Sequence, residues 1–186
     1  MQEETKVVNK KSDQTHSFIH YIIDICYRDK GAAAALRRAD NPNTEYQSWE
    51  VLARFQIDLE NINQRLSYAT IAAAVAKAKI TQNGSCGIGK AIANCYEDNS
   101  SSDQAKAKLR RLLACDSTDE VCRILRPLFS LINSKSSLSL DFSKLLKQLL
   151  QFSYYPLDIK SQWAQEFYSR SSHIDVDQEG NAGGKL

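Results

Sequence analysis

Apolar residues recur at three- and four-residue spacing along nearly the whole chain, the period of amphipathic helices. In HSFIHYIIDICYRD, Phe18, Ile22, Ile25 and Cys26 fall on one stripe. GAAAALRRA (31–39) reads as a short helix with both arginines near its end, where cations complement the helix dipole. ADNPNT breaks it. YQSWEVLARFQIDL predicts a helix with Trp49, Leu52, Phe55 and Leu59 inward. NINQRLSYATIAAAVAKAKI predicts a long helix whose small side chains permit close packing, stopped in the loop TQNGSCG with Gly84 suited to the cap. A helix from Ile88 to about Tyr96 carries Ile88, Ile92 and Cys95 inward, and EDNSSSDQ then reads as a linker.

Four patterned segments follow. AKAKLRRLLACD is one helix. TDEVCRILRPLFSLINSK is the next, with Thr118 or Asp119 as N-cap and Pro127 expected to interrupt and kink it. SLDFSKLLKQLLQF is capped near Ser139 or Asp141. PLDIKSQWAQEFYSR starts at Pro156 and buries Ile159, Trp163 and Phe167. No segment reads as a strand. The expected fold class is all-α, a two-lobed helical bundle of about eight or nine helices. Residues 15–98 make one lobe and 103–172 the other, between a flexible N-terminus (1–14) and a flexible tail (173–186).

Composition agrees with this pattern. Of 186 residues, 42% are hydrophobic and only 3 are Pro and 7 Gly, so a core is available and helix breakers are scarce. No run approaches the roughly 20 apolar residues of a membrane span. The polar start MQEETKVVNKKSDQ is not a signal peptide. The 5 cysteines form no CxxC pair, which points to buried reduced thiols in a cytoplasmic protein. His16 and His20 share the i, i+4 spacing of a helical metal pair but lack a third ligand, so no metal is expected. No catalytic constellation and no cofactor motif stands out.

One stretch does imitate a motif. Gly84 to Lys90 spells Gly-x-x-x-x-Gly-Lys, most of a Walker A phosphate loop. Ala91 replaces the Mg²⁺-binding hydroxyl, and the segment before it reads as helix where the loop needs a strand. A nucleotide hydrolase using Lys90 is therefore the weakest of the functions considered.

Net charge is +2, yet between residues 61 and 157 there are 13 Lys or Arg against 7 Asp or Glu. A near-neutral total can hide a basic face. Arg37 and Arg38 are adjacent; Lys106, Lys108, Arg110 and Arg111 crowd one helix; Arg123 and Arg126 lie three apart and share a face. Lys144 and Lys147 repeat that spacing. Such faces serve either nucleic-acid phosphates or, for a helical protein-interaction adaptor, acidic protein surfaces. Tyr154 and Tyr155 can stack on bases, although packing is the commoner use of such rings.

Taken in order, ALRRA, WEVLARF, GIGKAIA, KLRRLLACDSTDEVCRILRPLFSLINSK, LDFSKLLKQLL and IKSQWAQEFY resemble the CasB family, the small subunit of the type I-E CRISPR surveillance complex Cascade. The likeness runs from about residue 17 to 170. Lys90 stands where such proteins often carry Arg, and the turn after Ala114 is short. The resemblance implies an all-helical, non-enzymatic subunit, present in two copies. It implies other Cascade subunits, guide RNA and target DNA as partners, and a role in antiviral defence. Among the bases, the candidate nucleic-acid contacts are first Arg110 and Arg111, then Lys90, then Arg37 and Arg38, and next Arg123 and Arg126. Lys90, in the first turn of its helix, would be a phosphate contact aided by free backbone N–H groups.

Overall fold

The apolar stripes become helices that bury one another in a single core. The computed structural model describes residues 2–169, with side chains from Gln14 onward. Among these residues nine α-helices occur: α1 (Gln2–Arg28), α2 (Lys30–Leu36), α3 (Trp49–Arg54), α4 (Ile62–Ala78), α5 (Ile88–Ala93), α6 (Asp103–Leu113), α7 (Thr118–Lys135), α8 (Phe142–Gln151) and α9 (Pro156–Tyr168). The nearest approach to a strand among them is an isolated parallel bridge between Cys86 and Leu140. The protein is all-α. The tail expected at 173–186 lies outside the described residues.

α4 is the central post. Every residue from Ser67 to Ala76 is buried, because neighbours surround the helix rather than flank one face. α1, α2, α7 and α8 all pack against it. Its alanines bring those neighbours close. Its Ser and Thr hydroxyls are not wasted polar atoms: Ser67 Oγ donates to the Asn63 carbonyl at 2.7 Å, and Thr70 bonds toward the Cys122 thiol.

α5 and α9 form a second tight pairing, with α6 alongside. Ile159, Trp163 and Phe167 are buried as their spacing predicts. Trp163 stacks on Phe152 at 5.7 Å between centroids, and its Nε1–H donates to Gln148 Oε1 at 2.8 Å. Burying such a ring contributes a few kcal/mol provided its N–H is satisfied.

Several local expectations change. Residues 2–14, which the sequence pattern sets apart from the first helix, continue α1, since no Gly or Pro interrupts the run from Gln2 to Arg28. The predicted helix over 46–59 is shorter: α3 stops at Arg54, and Gln56 adopts a left-handed φ of 61°. Trp49, expected inward, is 40% exposed. α4 ends at a left-handed Lys79 with φ 52°, not at Gly84. The cap of α7 is Ser117, whose side chain accepts from the Glu120 N–H, while Glu120 accepts from the Asp116 N–H at 2.8 Å. The pair resembles a capping box with the glutamate reaching one residue further back, to Asp116 instead of to the cap itself. α7 also runs through Pro127 without a break. Pro127 and Arg123, the residue whose carbonyl loses its partner, both lie on the exposed face, where water can satisfy the orphaned oxygen. Asp141 and Pro156 begin α8 and α9 as expected.

The linker at 97–103 holds only a short 3-10 turn, Asn99–Ser101. The core does not divide there. α1 packs on α8, α4 on α7 and α8, and α5 on α9, so one hydrophobic cluster crosses the expected lobe boundary.

Candidate nucleic-acid interface

The glycine-rich loop carries the strongest motif, yet two of its backbone N–H groups are already used inside the protein. Gly84 N–H donates to the Leu140 carbonyl at 3.1 Å and Cys86 N–H to the Ser139 carbonyl at 3.0 Å; the Asp141 N–H returns to the Cys86 carbonyl at 2.8 Å. Asn83 Nδ2 donates to Asp141 Oδ1 at 2.8 Å. A Cβ at Gly84 would lie 2.1 Å from the Ser139 carbonyl oxygen, so glycine is there to let two backbones meet. The loop ties the start of α5 to the start of α8.

The first turn of α5 is equally occupied. Gly89 N–H donates to Glu166 Oε2 at 3.1 Å, and Lys144 pairs with the other oxygen of that carboxylate. A side chain at Gly89 would strike the Trp163 carbonyl, 2.0 Å from the added carbon. One of the free N–H groups expected beside Lys90, that of Gly89, is thus capped from α9. The phosphate-loop reading weakens in the same way, since the Gly84, Cys86 and Gly89 donors are spent on protein oxygens.

Arg111 of α6 and Arg123 of α7 do come together. They line a shallow depression with Glu120 and Ile124. An adjoining one is lined by Lys108, Arg111, Ile124 and Leu131. Lys108, Arg111 and Arg123 therefore share one open groove between the two helices, floored by apolar side chains. The acids around it already have partners, one of them within the groove. Asp119 pairs with Arg123 at 3.1 Å, Glu120 caps Asp116, and Asp116 pairs with Lys160 at 3.2 Å. Arg110 and Arg111 are exposed and make no ion pair or side-chain hydrogen bond among the described residues. Two cations at the C-terminal turn of α6 are also favoured by its dipole. The Arg123–Asp119 pair is an exposed i, i+4 contact, worth a few tenths of a kcal/mol and easily exchanged for a phosphate.

The other sequence candidates sit apart from this groove. Arg126 faces a different cleft of about 260 Å³, shared with Asp40, Lys77 and Phe129. Its Nε is buried without a hydrogen-bond partner among the described residues. Arg37 is exposed beyond α2, and Arg38 reaches Gln47 Oε1 at 3.4 Å. Lys90 is half-buried on α5. Among the described residues no contact joins these four to Arg111. Lys108, which the candidate set omitted, belongs to the groove. Its position three residues before Arg111 was the available signal.

Among the described residues nothing resembles a catalytic centre, and no three His, Cys, Asp or Glu gather as metal ligands. His16 and His20 are exposed on α1. All 5 cysteines are free thiols. Burial pushes each of them up, Cys122 to about 11, so none is primed as a nucleophile. No helix among the described residues is long and apolar enough to cross a membrane.

Known proteins share this fold. The solved structure of TTHB189, a CRISPR-associated protein of the Cse2 family from Thermus thermophilus, superposes with a TM-score of 0.68 at 19% identity, covering 83% of this chain and 97% of that one. CasB from Thermobifida fusca gives 0.67 at 14%, covering 86% and 98%. A chain of a CRISPR RNA-guided surveillance complex gives 0.65 at 22%, covering 84% and 92%. No curated protein sequence matches. The family model for CRISPR-associated protein Cse2 matches residues 32–168, a span that holds the α5–α9 seam and the α6–α7 groove alike, and the chain belongs to that family.

Proposed function

We propose that this protein is a non-catalytic subunit of an RNA-guided CRISPR surveillance complex of the Cascade type, acting in antiviral defence in the cytoplasm. It holds nucleic-acid backbone without reading sequence and steadies the target DNA and the displaced strand once guide RNA has paired. Its partners are the other Cascade subunits, a second copy of itself, guide RNA and target DNA. The observation that carries this reading is the open α6–α7 groove, in which Arg111 and the neighbouring Arg110 have no partner among the described residues.

The physics suits such a role. Exchanging a DNA duplex for an RNA–DNA heteroduplex is nearly balanced in RNA-guided effectors of another type, so modest backbone contacts tip it. Lys and Arg on phosphates supply affinity but no sequence information, which the guide RNA already provides. Arg110, Arg111 and Arg123, with Lys108, are the first contacts. Arg37, Arg38, Lys90 and Arg126 belong to other faces and serve RNA, a neighbouring subunit or a more distant stretch of strand.

The test is a titration of the purified protein with labelled single- and double-stranded DNA at about 50 and 200 mM salt. About four phosphate contacts on a single strand give a log–log salt slope near −3. The double variant Arg110→Ala/Arg111→Ala should weaken binding for every sequence alike and flatten that slope by about 1.4. Unchanged binding and unchanged R-loop lifetime in the assembled complex would remove the groove from the nucleic-acid path. Co-purification lost with the same variant would assign it to an acidic protein neighbour.

A further inference from the structure

The corner between α8 and α9 leaves two aromatic rings in solvent. Tyr154 is 77% exposed and Tyr155 57%, with centroids 6.5 Å apart. This corner is pinned. Ser153 accepts from Asn63 Nδ2 at 3.1 Å and shares a hydrogen bond with Thr118 at 3.0 Å. The N–H groups of Tyr154 and Tyr155 both reach the Gln151 carbonyl at 3.0 Å. The rings are therefore presented on fixed backbone, which lowers the entropy cost of binding to them.

Beside Tyr154 a cleft of about 180 Å³ opens between the start of α4 and α8, lined by Gln64, Tyr68, Lys147 and Gln151 among others. Sites for drug-sized ligands begin at about 300 Å³, so this one admits a single small planar group. Its floor is formed by Tyr68, which is only 3% exposed and packs its ring edge-on against Phe18 at 4.7 Å. Tyr68 lines the cleft, where its hydroxyl can meet a ligand. The Gln64 and Gln151 side-chain amides are likewise uncommitted, and Lys147 has no ion-pair partner among these residues.

The geometry points to a stacking subsite for one unpaired nucleobase of a single strand, formed by Tyr154, Tyr155 and the cleft above Tyr68. The base lies on tyrosine, its edge meets the two amides and the Tyr68 hydroxyl, and its phosphate meets Lys147. An apolar protein segment fits less well, because it would bury those polar groups unpaired. This subsite rests on the strand-holding role proposed above and adds to it. It would act independently of the α6–α7 groove, through bases instead of charge.

Two strands of equal charge separate these contributions: an oligothymidylate of about 16 nucleotides and an abasic strand of the same length. The full-length protein should bind the base-bearing strand more tightly. Tyr154→Ala/Tyr155→Ala should lower that affinity about tenfold, leaving the abasic strand and the salt slope unchanged. Tyr154→Phe/Tyr155→Phe should restore it. Tyr68→Phe, which removes one oxygen and keeps the fold, should cause a smaller loss on the base-bearing strand alone. Equal wild-type affinity for the two strands overturns the subsite while sparing the backbone reading. Failure of both strands to bind at low salt overturns both. Unchanged strand binding with lost co-assembly overturns the subsite and makes this corner a protein-docking face.

Discussion

In the α5–α9 seam, Glu166 stands between the Gly89 N–H and the Lys144 ammonium, and each has a protein partner. In the α6–α7 groove, Asp119 reaches only Arg123, Glu120 is held by the Asp116 N–H, and Arg111 is left unanswered among the described residues. Both regions place bases near helix ends, and in sequence both look like anion sites. Their difference lies in the acid supplied by a distant segment. A base next to a glycine-rich turn becomes structural when a carboxylate from 77 residues away arrives to claim the donors. A base on an open helix pair keeps its charge for an external phosphate.

The comparison breaks most sharply at Gly89. Gly89→Val puts a branched side chain where even one carbon lies 2.0 Å from the Trp163 carbonyl oxygen. α9 must then move off α5, and overpacking of this kind costs about 3 kcal/mol or more. Thermal denaturation should show a large drop in Tm; an unchanged Tm would mean that the seam is not close-packed.

A smaller effect should appear at alkaline pH. Burial raises the Cys122 thiol from 9.0 to about 11 and the Tyr68 hydroxyl from 10.0 to about 12. Above its ordinary value each group gives up its proton in the unfolded chain while the folded chain retains it. Folded protein then binds more protons than unfolded, and stability falls as pH rises. The stability is intact below pH 9 and lost between about pH 9 and 11 for Cys122, by about 2–3 kcal/mol. Urea midpoints at about pH 8 and pH 10.5 measure it, and Cys122→Ala should flatten the slope.

The smallest effect sharpens the contrast. Arg110→Ala/Arg111→Ala should shift stability by no more than about 0.5 kcal/mol, since neither side chain has a partner among the described residues. A marked fall in Tm would show that these arginines support the fold and would weaken the case for an external phosphate.

Periodicity made the amphipathic helices legible. Phe18 and Ile22 on α1, Leu145 and Leu149 on α8, and Ile159, Trp163 and Phe167 on α9 are buried because a stripe at helical spacing has one way to face inward. α4 carries no such stripe, since it is buried on all sides, and only its alanine content announced it. Its end was misplaced because Gly84 looked free to cap a helix. The competing demand, contact with the Ser139 backbone, comes from 55 residues further on and leaves no local trace. The site followed the same rule. The types and clusters of bases were readable, including the pair on α6. Which bases stay open depended on Glu166, Asp40 and Asp119, whose positions only the folded chain assigns. Tyr68 was invisible as a ligand group for that reason: a tyrosine in an alanine-rich helix reads as core.

The crossing of the chain over residue 97 bears on how the protein is made. α1 finishes at Arg28 and its packing partner α8 begins at Phe142. At translation rates of about 5–20 residues per second, the ribosome needs roughly ten seconds to bridge that gap. α5 likewise waits for α9. Through that interval Phe18, Ile19 and Ile22 have α2, Phe55 and α4 beside them but lack the cover of α8. Completion of α8, late in synthesis, is therefore the moment at which α1 is fully sheltered.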